Sequence, residues 1–334
     1  MADVVEEINA TYEALADVEK EFEDVEMEII RQQYVLTQPI YEKRQKLIEK
    51  IPNFWPLVME QAPPDVDQYI HPSDSAVLLS SLSSISVSRF EIENGGKGDP
   101  RSISIKMEFT ENDDFEDRVL EKKFWYRYSK NGSAGLVSEP VPIKWKEGKD
   151  LTHGLLDLAV KVWEQDKKQA QANGASTDKK KTKPEHWTED QKALREKIDA
   201  YGLGGLSFFC WFGYRGEDIS AEESAIAVEE EKKRRAEKAD GKSSELKENE
   251  EDDDDEDEDE DDPLALEVFP DGDDLAVALS DDVWPSAIKY FTQAQEVEAM
   301  SDLDFEVDDE MMNEVEDEDD DDDDEAPPLK RVKA

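Results

Sequence analysis

Residues 8–36, INATYEALADVEKEFEDVEMEIIRQQYVL, decide the fold, because Ile8, Leu15, Phe22, Ile29 and Leu36 recur there at every seventh position. Val18 and Val25 fall three places after two of these residues and widen the stripe. Seven-residue recurrence puts such side chains on one face of an α-helix, and sustained over successive heptads it reads as a coiled coil. Tyr12, Tyr34, Ile40, Tyr41 and Leu47 extend the pattern, so that residues 4–50 form one amphipathic run. At 1.5 Å per residue such a run makes a rod about 65–70 Å long. A rod of that length outreaches any domain the chain could build alone, and its apolar stripe needs a cover. The same helix of a second copy is the simplest cover; packing along its own domain is the alternative. Pro39 removes a backbone donor and predicts a kink or break near Gln38.

Charge divides the rest of the chain. The 334 residues include 40 Lys and Arg against 88 Asp and Glu, a formal net charge of −48. Residues 245–334 alone hold 40 acidic and 5 basic side chains, a net of −35, which leaves −13 for the first 244. A moderately acidic portion therefore precedes an extremely acidic tail. Phosphates and anionic membranes would repel this charge, so direct, specific nucleic-acid binding and membrane association are excluded, and basic proteins are favoured. Residues 248–262, acidic except for Asn249, and the wholly acidic 316–325 cannot offset ordering entropy by burial and are predicted to be disordered. Cys210 is the lone cysteine, the N-terminus lacks a basic leader region, and no apolar run approaches the roughly 18 residues of a membrane span. These features predict a soluble intracellular protein.

After the rod, Pro52 and Pro56 bracket an apolar cluster, Ile51-Pro52-Asn53-Phe54-Trp55-Pro56, and Pro72-Ser73-Asp74 opens a short helix with Val77, Leu78, Leu79 and Leu82. The period then changes to two. Ile103, Ile105, Met107 and Phe109 alternate with Ser104, Lys106 and Glu108, and Leu120, Phe124, Tyr126 and Tyr128 alternate with charged residues, Lys122 missing one beat. The runs 85–93 and 136–145 are also strand-like, the latter suited to an edge by Pro140 and Pro142. Turn residues at Asn94-Gly95-Gly96, Asn112-Asp113-Asp114 and Asn131-Gly132 join the four strands closely enough for an antiparallel meander. The fold class is α+β. Helical pattern returns at 150–164, residues 165–185 read as a flexible basic loop, and Thr188-Glu189-Asp190-Gln191 fits a capping box for a helix to about Tyr201. Leu206–Phe212 is aromatic enough to be a buried strand, and Val277–Phe291 is an apolar island between acidic tracts.

These pieces, in this order, carry a resemblance. Ile51-Pro52-Asn53-Phe54-Trp55, Ile143-Lys144-Trp145-Lys146, Ser207-Phe208-Phe209-Cys210-Trp211-Phe212 and Asp281-Asp282-Val283-Trp284-Pro285, with a long N-terminal helix and an acidic tail, resemble the nucleosome assembly protein family of histone chaperones, and most closely its SET (template-activating factor) branch. The resemblance implies a homodimer held by the long helix (residues 1–50), and an earmuff domain (51–215) with a four-stranded antiparallel sheet and flanking helices. It leaves a charged, largely disordered acidic insertion at 216–275, in which Glu222–Lys247 reads as either a solvent helix or disorder, and an island at 276–295 that docks back on the domain. The last part is a disordered tail at 296–334. It further implies a nuclear protein, shuttling with the cytoplasm, that binds core histones and assists nucleosome assembly or disassembly without ATP. A regulatory binding protein, such as a protein phosphatase 2A inhibitor or a histone acetyltransferase partner, is the alternative within the same branch.

No catalytic set, P-loop or zinc-ligand spacing is present, His71, His153 and His186 are isolated, and nothing calls for a cofactor or metal. The chain is therefore read as a non-enzyme. Candidate histone-binding carboxylates are Glu91, Glu93, Glu108, Glu111, Asp113, Asp114, Glu116, Asp117 and Glu121 of the strand region, with Asp281 and Asp282 of the island. A preformed carboxylate surface accepts charge-assisted hydrogen bonds from Arg and Lys. For each residue singly, a plain solvated face is the competing reading. Ile8, Leu15, Val18, Phe22, Val25, Ile29 and Leu36 are the candidate dimerisation residues, and Lys330, Arg331 and Lys333 after Pro327-Pro328 a candidate nuclear localisation signal.

Overall fold

The computed structural model describes residues 2–172, 186–202, 205–239 and 265–300. Helix α1 runs unbroken from Ala2 to Ile48 and contains Pro39. The expected break is absent because proline removes a single hydrogen bond, that to the Val35 carbonyl, on a side of the helix open to solvent. The next turn is then clamped: Tyr41 lies against Trp284 with ring centroids 3.9 Å apart, and Arg44 donates to the Trp284 carbonyl at 2.6 Å.

Short helices α2 (Phe54–Glu60), α3 (Pro64–Asp67) and α4 (Pro72–Ser81) lead into the sheet. Strands β1 (Leu82–Ser88), β2 (Ile103–Phe109), β3 (Val119–Tyr128) and β4 (Ala134–Ser138) pair antiparallel in the order β1-β2-β3-β4. Alternation puts Ile103, Ile105, Met107, Leu120, Phe124 and Leu136 on the buried face. The fourth strand is shorter than its sequence run. It stops before Pro140, and Trp145 instead forms an isolated bridge with Phe115.

Helix α5 spans Leu155–Ala172, later and longer than the 150–164 pattern, and so takes up the first part of the expected loop at 165–185. Asp150 explains the delay. Its carboxylate accepts the Thr152 and Gly154 N–H groups at 2.8 and 2.6 Å, holding 150–154 in a turn. Lys167 then lies over the Trp163 ring, 4.3 Å from its centroid, so a basic residue of this stretch is packed. Helix α6 (Glu189–Tyr201) starts from the Thr188–Gln191 capping box.

The aromatic run is not a strand. Phe208–Gly213 form a 3-10 segment through the core, every residue buried. Phe124 and Trp211 stack at 5.5 Å, and Phe209 meets Phe115 and Trp145 at 5.7 and 5.4 Å. A Cβ at Gly213 would come within 2.7 Å of Val268, so only glycine lets that segment pass.

The described parts of the 216–275 stretch, residues 216–239 and 265–275, are folded. Helix α7 covers Ala221–Ala239, and Glu267, Val268 and Phe269 are buried. Ion pairs to α1 hold the first piece and aromatic packing the second, two supports that composition cannot reveal. Helix α8 (Gly272–Val277), a π-helical turn at Ala278–Val283 and helix α9 over 287–300 complete the described fold. Trp284 on Tyr41 and Phe291 stacked on Phe54 at 4.8 Å join this last part to α1 and α2. Helix α9 carries order past 295, into the stretch assigned to the tail. The acidic tracts at 248–262 and 316–325, the rest of the tail and Lys330, Arg331 and Lys333 lie outside the described residues, as does the remainder of the basic loop from 173.

Lys122, the break in the strand alternation, is fully buried. Its ammonium donates to the carbonyls of Glu139, Phe212 and Tyr214 at 3.1, 3.1 and 2.9 Å. Lys122→Met should destabilise the domain by about 3–5 kcal/mol, because three buried carbonyls and the nearby Glu267 lose their compensating cation. Burial lowers the Lys122 pKa from 10.5 to about 7. The unfolded chain therefore binds more protons between these values, and wild-type stability should rise as pH climbs from 7 toward 10.5. Urea unfolding at pH 7 and 9.5 should show that slope in the wild type and not in Lys122→Met.

Candidate functional site

The carboxylates singled out in the strand region do not form one free acidic surface. The 110–117 loop lies against 143–149. Asn112 shapes the loop by accepting the N–H groups of Asp114 and Phe115, both at 2.9 Å. Lys146 donates to the Asn112 carbonyl at 2.5 Å, Asp117 accepts the Lys144 N–H at 2.6 Å, and Lys149 faces Asp114 at 3.5 Å. Glu111 pairs with Arg118 at 3.2 Å. Asp113 and Glu116 remain exposed, and neither makes an ion pair among the described residues.

The solvent face of the sheet is also compensated. Glu108 pairs with Lys106, while Glu121 accepts from Ser104 at 2.8 Å and lies 3.5 Å from Lys123. Glu91 is an internal group: it accepts the Asp99 N–H at 3.1 Å and the Ser102 hydroxyl at 2.8 Å, with Arg127 at 3.4 Å. Glu93 accepts from Tyr34 of α1 at 3.1 Å, and burial, reinforced by Glu93, pushes that phenol up to about 12. On the π-helical turn, Asp281 pairs with Arg89 at 3.0 Å and Asp282 accepts from Tyr290 at 2.8 Å. Burial, helped by Asp282, also raises the Tyr290 phenol to about 12. The fold thus disperses the eleven candidate carboxylates over the loop, the sheet face and two packed corners.

A different group of acids is less compensated. Asp65 of α3, Asp271 at the start of α8 and Asp274 of α8 surround Tyr69, with Asp273 beside Tyr214, and none of these four acids makes an ion pair among the described residues. Tyr69 donates to Asp271 at 3.1 Å, and burial together with this acidic neighbourhood raises its pKa to about 12. Asp273 is half-buried, and desolvation pushes its carboxyl above the usual range. No sequence signal pointed to this group, because about 200 residues separate its two halves. Uncompensated exposed carboxylates of this kind, with Asp113 and Glu116, can accept Lys and Arg side chains.

The rod presents the second candidate surface. Leu15, Phe22 and Leu36 are 58, 61 and 70 % exposed, and Val18, Val25 and Ile29 are also open. Ile8 is on the same helix, and its side chain lies outside the described ones. The residues of α1 that touch the domain include Asp17, Lys20, Asp24, Met27, Arg31, Tyr34, Tyr41, Arg44, Gln45 and Ile48. At about 100° per residue, most of these lie roughly opposite the heptad stripe. The alternative cover, the chain's own domain, takes the other face.

Residues 48–294, three quarters of the chain, match the sequence profile described as Nucleosome assembly protein (NAP). The chain belongs to the nucleosome assembly protein family. A nucleosome assembly protein of Schizosaccharomyces pombe is 37 % identical over 150 residues, 42 % of this chain and 59 % of that protein. Protein SET of Drosophila melanogaster is 31 % identical over 166 residues, 46 % of this chain and 55 % of its own length. The chain thus spans little more than half the length of these relatives. A crystal structure of Vps75 covers 85 % of this chain and 98 % of its own, with 22 % identity and a TM-score of 0.49. The family match begins at Ile48, where the rod ends, and includes both α7 and the Trp284 island.

Membership of the nucleosome assembly protein family does not make each acid a contact. Glu91→Ala should lower stability by about 1–3 kcal/mol, since buried donors at Asp99 and Ser102 lose their acceptor. Asp113→Asn should leave the urea midpoint unchanged. Denaturation of the two variants side by side checks the distinction.

Proposed function

We propose that this protein is a nuclear histone chaperone, a non-enzymatic homodimer that shields core histones and assists their assembly with DNA without ATP. Family membership over 48–294 carries the reading, and the charge of −48 agrees with it. Histones are basic, and a carboxylate surface that spends little on internal pairs is free to receive them. Binding of this kind weakens with salt, because the screening length falls from about 8 Å at physiological ionic strength to about 3 Å at 1 M.

Core histones immobilised on resin should retain the protein at low salt and release it progressively as salt rises. No retention at low salt overturns the reading. Neutralising the unpaired acids (Asp113→Asn, Glu116→Gln, Asp271→Asn and Asp274→Asn together) should weaken binding roughly threefold or more, at the scale of exposed ion pairs. Glu108→Gln with Glu121→Gln should change it less, because Lys106 and Lys123 already occupy those carboxylates. Equal effects would mean that only total charge matters.

The exposed heptad stripe supports the homodimer. Burying a Leu or Phe contributes about 1.5–3 kcal/mol each, so a seam of six such residues accounts for stable pairing. Leu15→Asp with Phe22→Asp should halve the mass measured by light scattering while the circular dichroism of the domain persists. A double variant that stays dimeric would put the seam elsewhere.

A further inference from the structure

Helix α7 lies within the stretch whose composition pointed to disorder, and its contacts assign it a mechanical role. It starts at Ser220, whose hydroxyl accepts the Glu223 N–H at 3.0 Å. One turn later the buried Ser224 accepts the N–H of Tyr128, the last residue of β3, at 3.0 Å. Two turns further on, the helix reaches the rod. Glu231 pairs with Lys20 at 2.6 Å, Arg235 with Asp24 at 2.8 Å, and Arg234 lies 3.9 Å from Asp17. Glu231 also takes Arg234 and Arg235 of its own helix, at 2.9 and 3.3 Å, so the six side chains form one network across the crossing.

The charges are matched beyond these contacts. Residues 232–238 of α7 hold Lys232, Lys233, Arg234, Arg235 and Lys238 against Glu237 alone. Rod residues 17–28 hold Asp17, Glu19, Glu21, Glu23, Asp24, Glu26 and Glu28 against Lys20. A basic half-helix of an otherwise acidic protein thus faces the acidic stretch of its own rod. Asp17, Lys20 and Asp24 recur at helical spacing on the face away from the heptad stripe, so the crossing leaves that stripe open. Met27, Arg31, Tyr34 and the clamp on Trp284 hold the rod farther along, and among the described residues the crossing is the attachment nearest its N-terminal end.

We propose that α7 is an ionic brace that sets the angle between the rod and the sheet, and that screening or reversing the charges at the Glu231–Lys20 and Arg235–Asp24 crossing lets the rod swing. Individual exposed pairs are weak and screened by salt, and only their number and geometry make the brace effective. The rod angle is then an adjustable quantity, fixed at low salt and looser at high salt, while the aromatic clamp near Tyr41 holds throughout.

Spin labels at Glu19→Cys on the rod and Lys130→Cys at the β3–β4 turn report this angle in the full chain, since Cys210 is buried. The labelled protein is diluted with unlabelled protein so that distances within one copy dominate. Pulsed dipolar spectroscopy should give one narrow distance at low salt and lose it with Arg235→Glu or Asp24→Lys. Asp24→Lys combined with Arg235→Glu should recover the narrow distance, because opposite charges again face each other across the crossing. One molar salt should reproduce the single variants in the unmodified crossing. Identical distributions in all four proteins, or a double variant as broad as either single one, would overturn the brace.

Discussion

The structure depends on a buried segment that has no ladder partner. Residues 207–216 cross the core as 3-10 and extended backbone, and beyond the N–H groups of Ser138 and Val141, which reach the Arg215 and Phe212 carbonyls at 2.7 and 2.8 Å, their backbone groups need partners outside the sheet. Three buried ionisable side chains provide many of them. Asp74 accepts the Ser207 hydroxyl at 2.5 Å and the Phe208 N–H at 2.9 Å. Lys122 takes the Phe212 and Tyr214 carbonyls, and Glu267 accepts the N–H groups of Arg215 and Gly216 at 2.9 and 3.0 Å. These residues belong to α4, to β3 and to the stretch just before α8, so one segment ties together parts of the chain almost 200 residues apart. A buried charge without partners costs several kcal/mol, so any other path for this segment would strand all three.

That pinned core is what allows α1 to be so little buried. A 47-residue helix in contact with its domain along one face would have no firm direction if the domain were loosely packed. Here Tyr34, Tyr41 and Arg44 meet groups of the folded domain, and the described residues of the heptad stripe, Leu15 to Leu36, stay exposed on the far side. Two heptad-spaced faces on one helix therefore serve different partners, the domain through polar and aromatic residues and the solvent-facing side through aliphatic ones. Only the aliphatic face is a coiled-coil pattern. The polar face, with Lys20, Asp24 and Arg31, has the same spacing and carries no apolar signal, and Tyr34 and Tyr41, which the pattern grouped with the apolar stripe, face the domain beside it.

Period and order were legible in the sequence; pairing was not. Alternation located β2 and β3 almost to the residue, since one face had to be buried, and Lys122 was visible as a flaw in the alternation. What it compensates could not be seen, because its carbonyl partners are up to 92 residues away. The aromatic run at 206–212 read as a strand because buried strands and buried irregular segments are equally apolar, and the hydrogen bonds that separate them are tertiary. Helix α7 was legible only as one of two readings, a solvent helix or disorder, because the ion pairs to α1 that separate them are recorded in no local composition. The carboxylates fared worst. Glu91 and Asp117 look the same in sequence as Asp113 and Glu116, and differ only in whether a backbone donor or a cation has been brought to them.

The charge distribution therefore has to be read by what remains unpaired. In the 111–118 and 143–149 ribbon, Arg118 and Lys149 engage Glu111 and Asp114 and the Lys144 N–H engages Asp117, so three of the six acids are already occupied. Asp65, Asp271 and Asp274, few in number and far apart in sequence, make no ion pair among the described residues, and they add to the burial that raises the phenol of Tyr69. A basic protein approaching this domain would be drawn by that residual field and not by the density of acidic letters. Internal pairing of acids also limits self-repulsion, which a net charge of −48 would otherwise exert on the folded part. The same ion pairs that hold the fold together thus decide where it can bind, because a carboxylate engaged with its own lysine must give up that bond before it can take another.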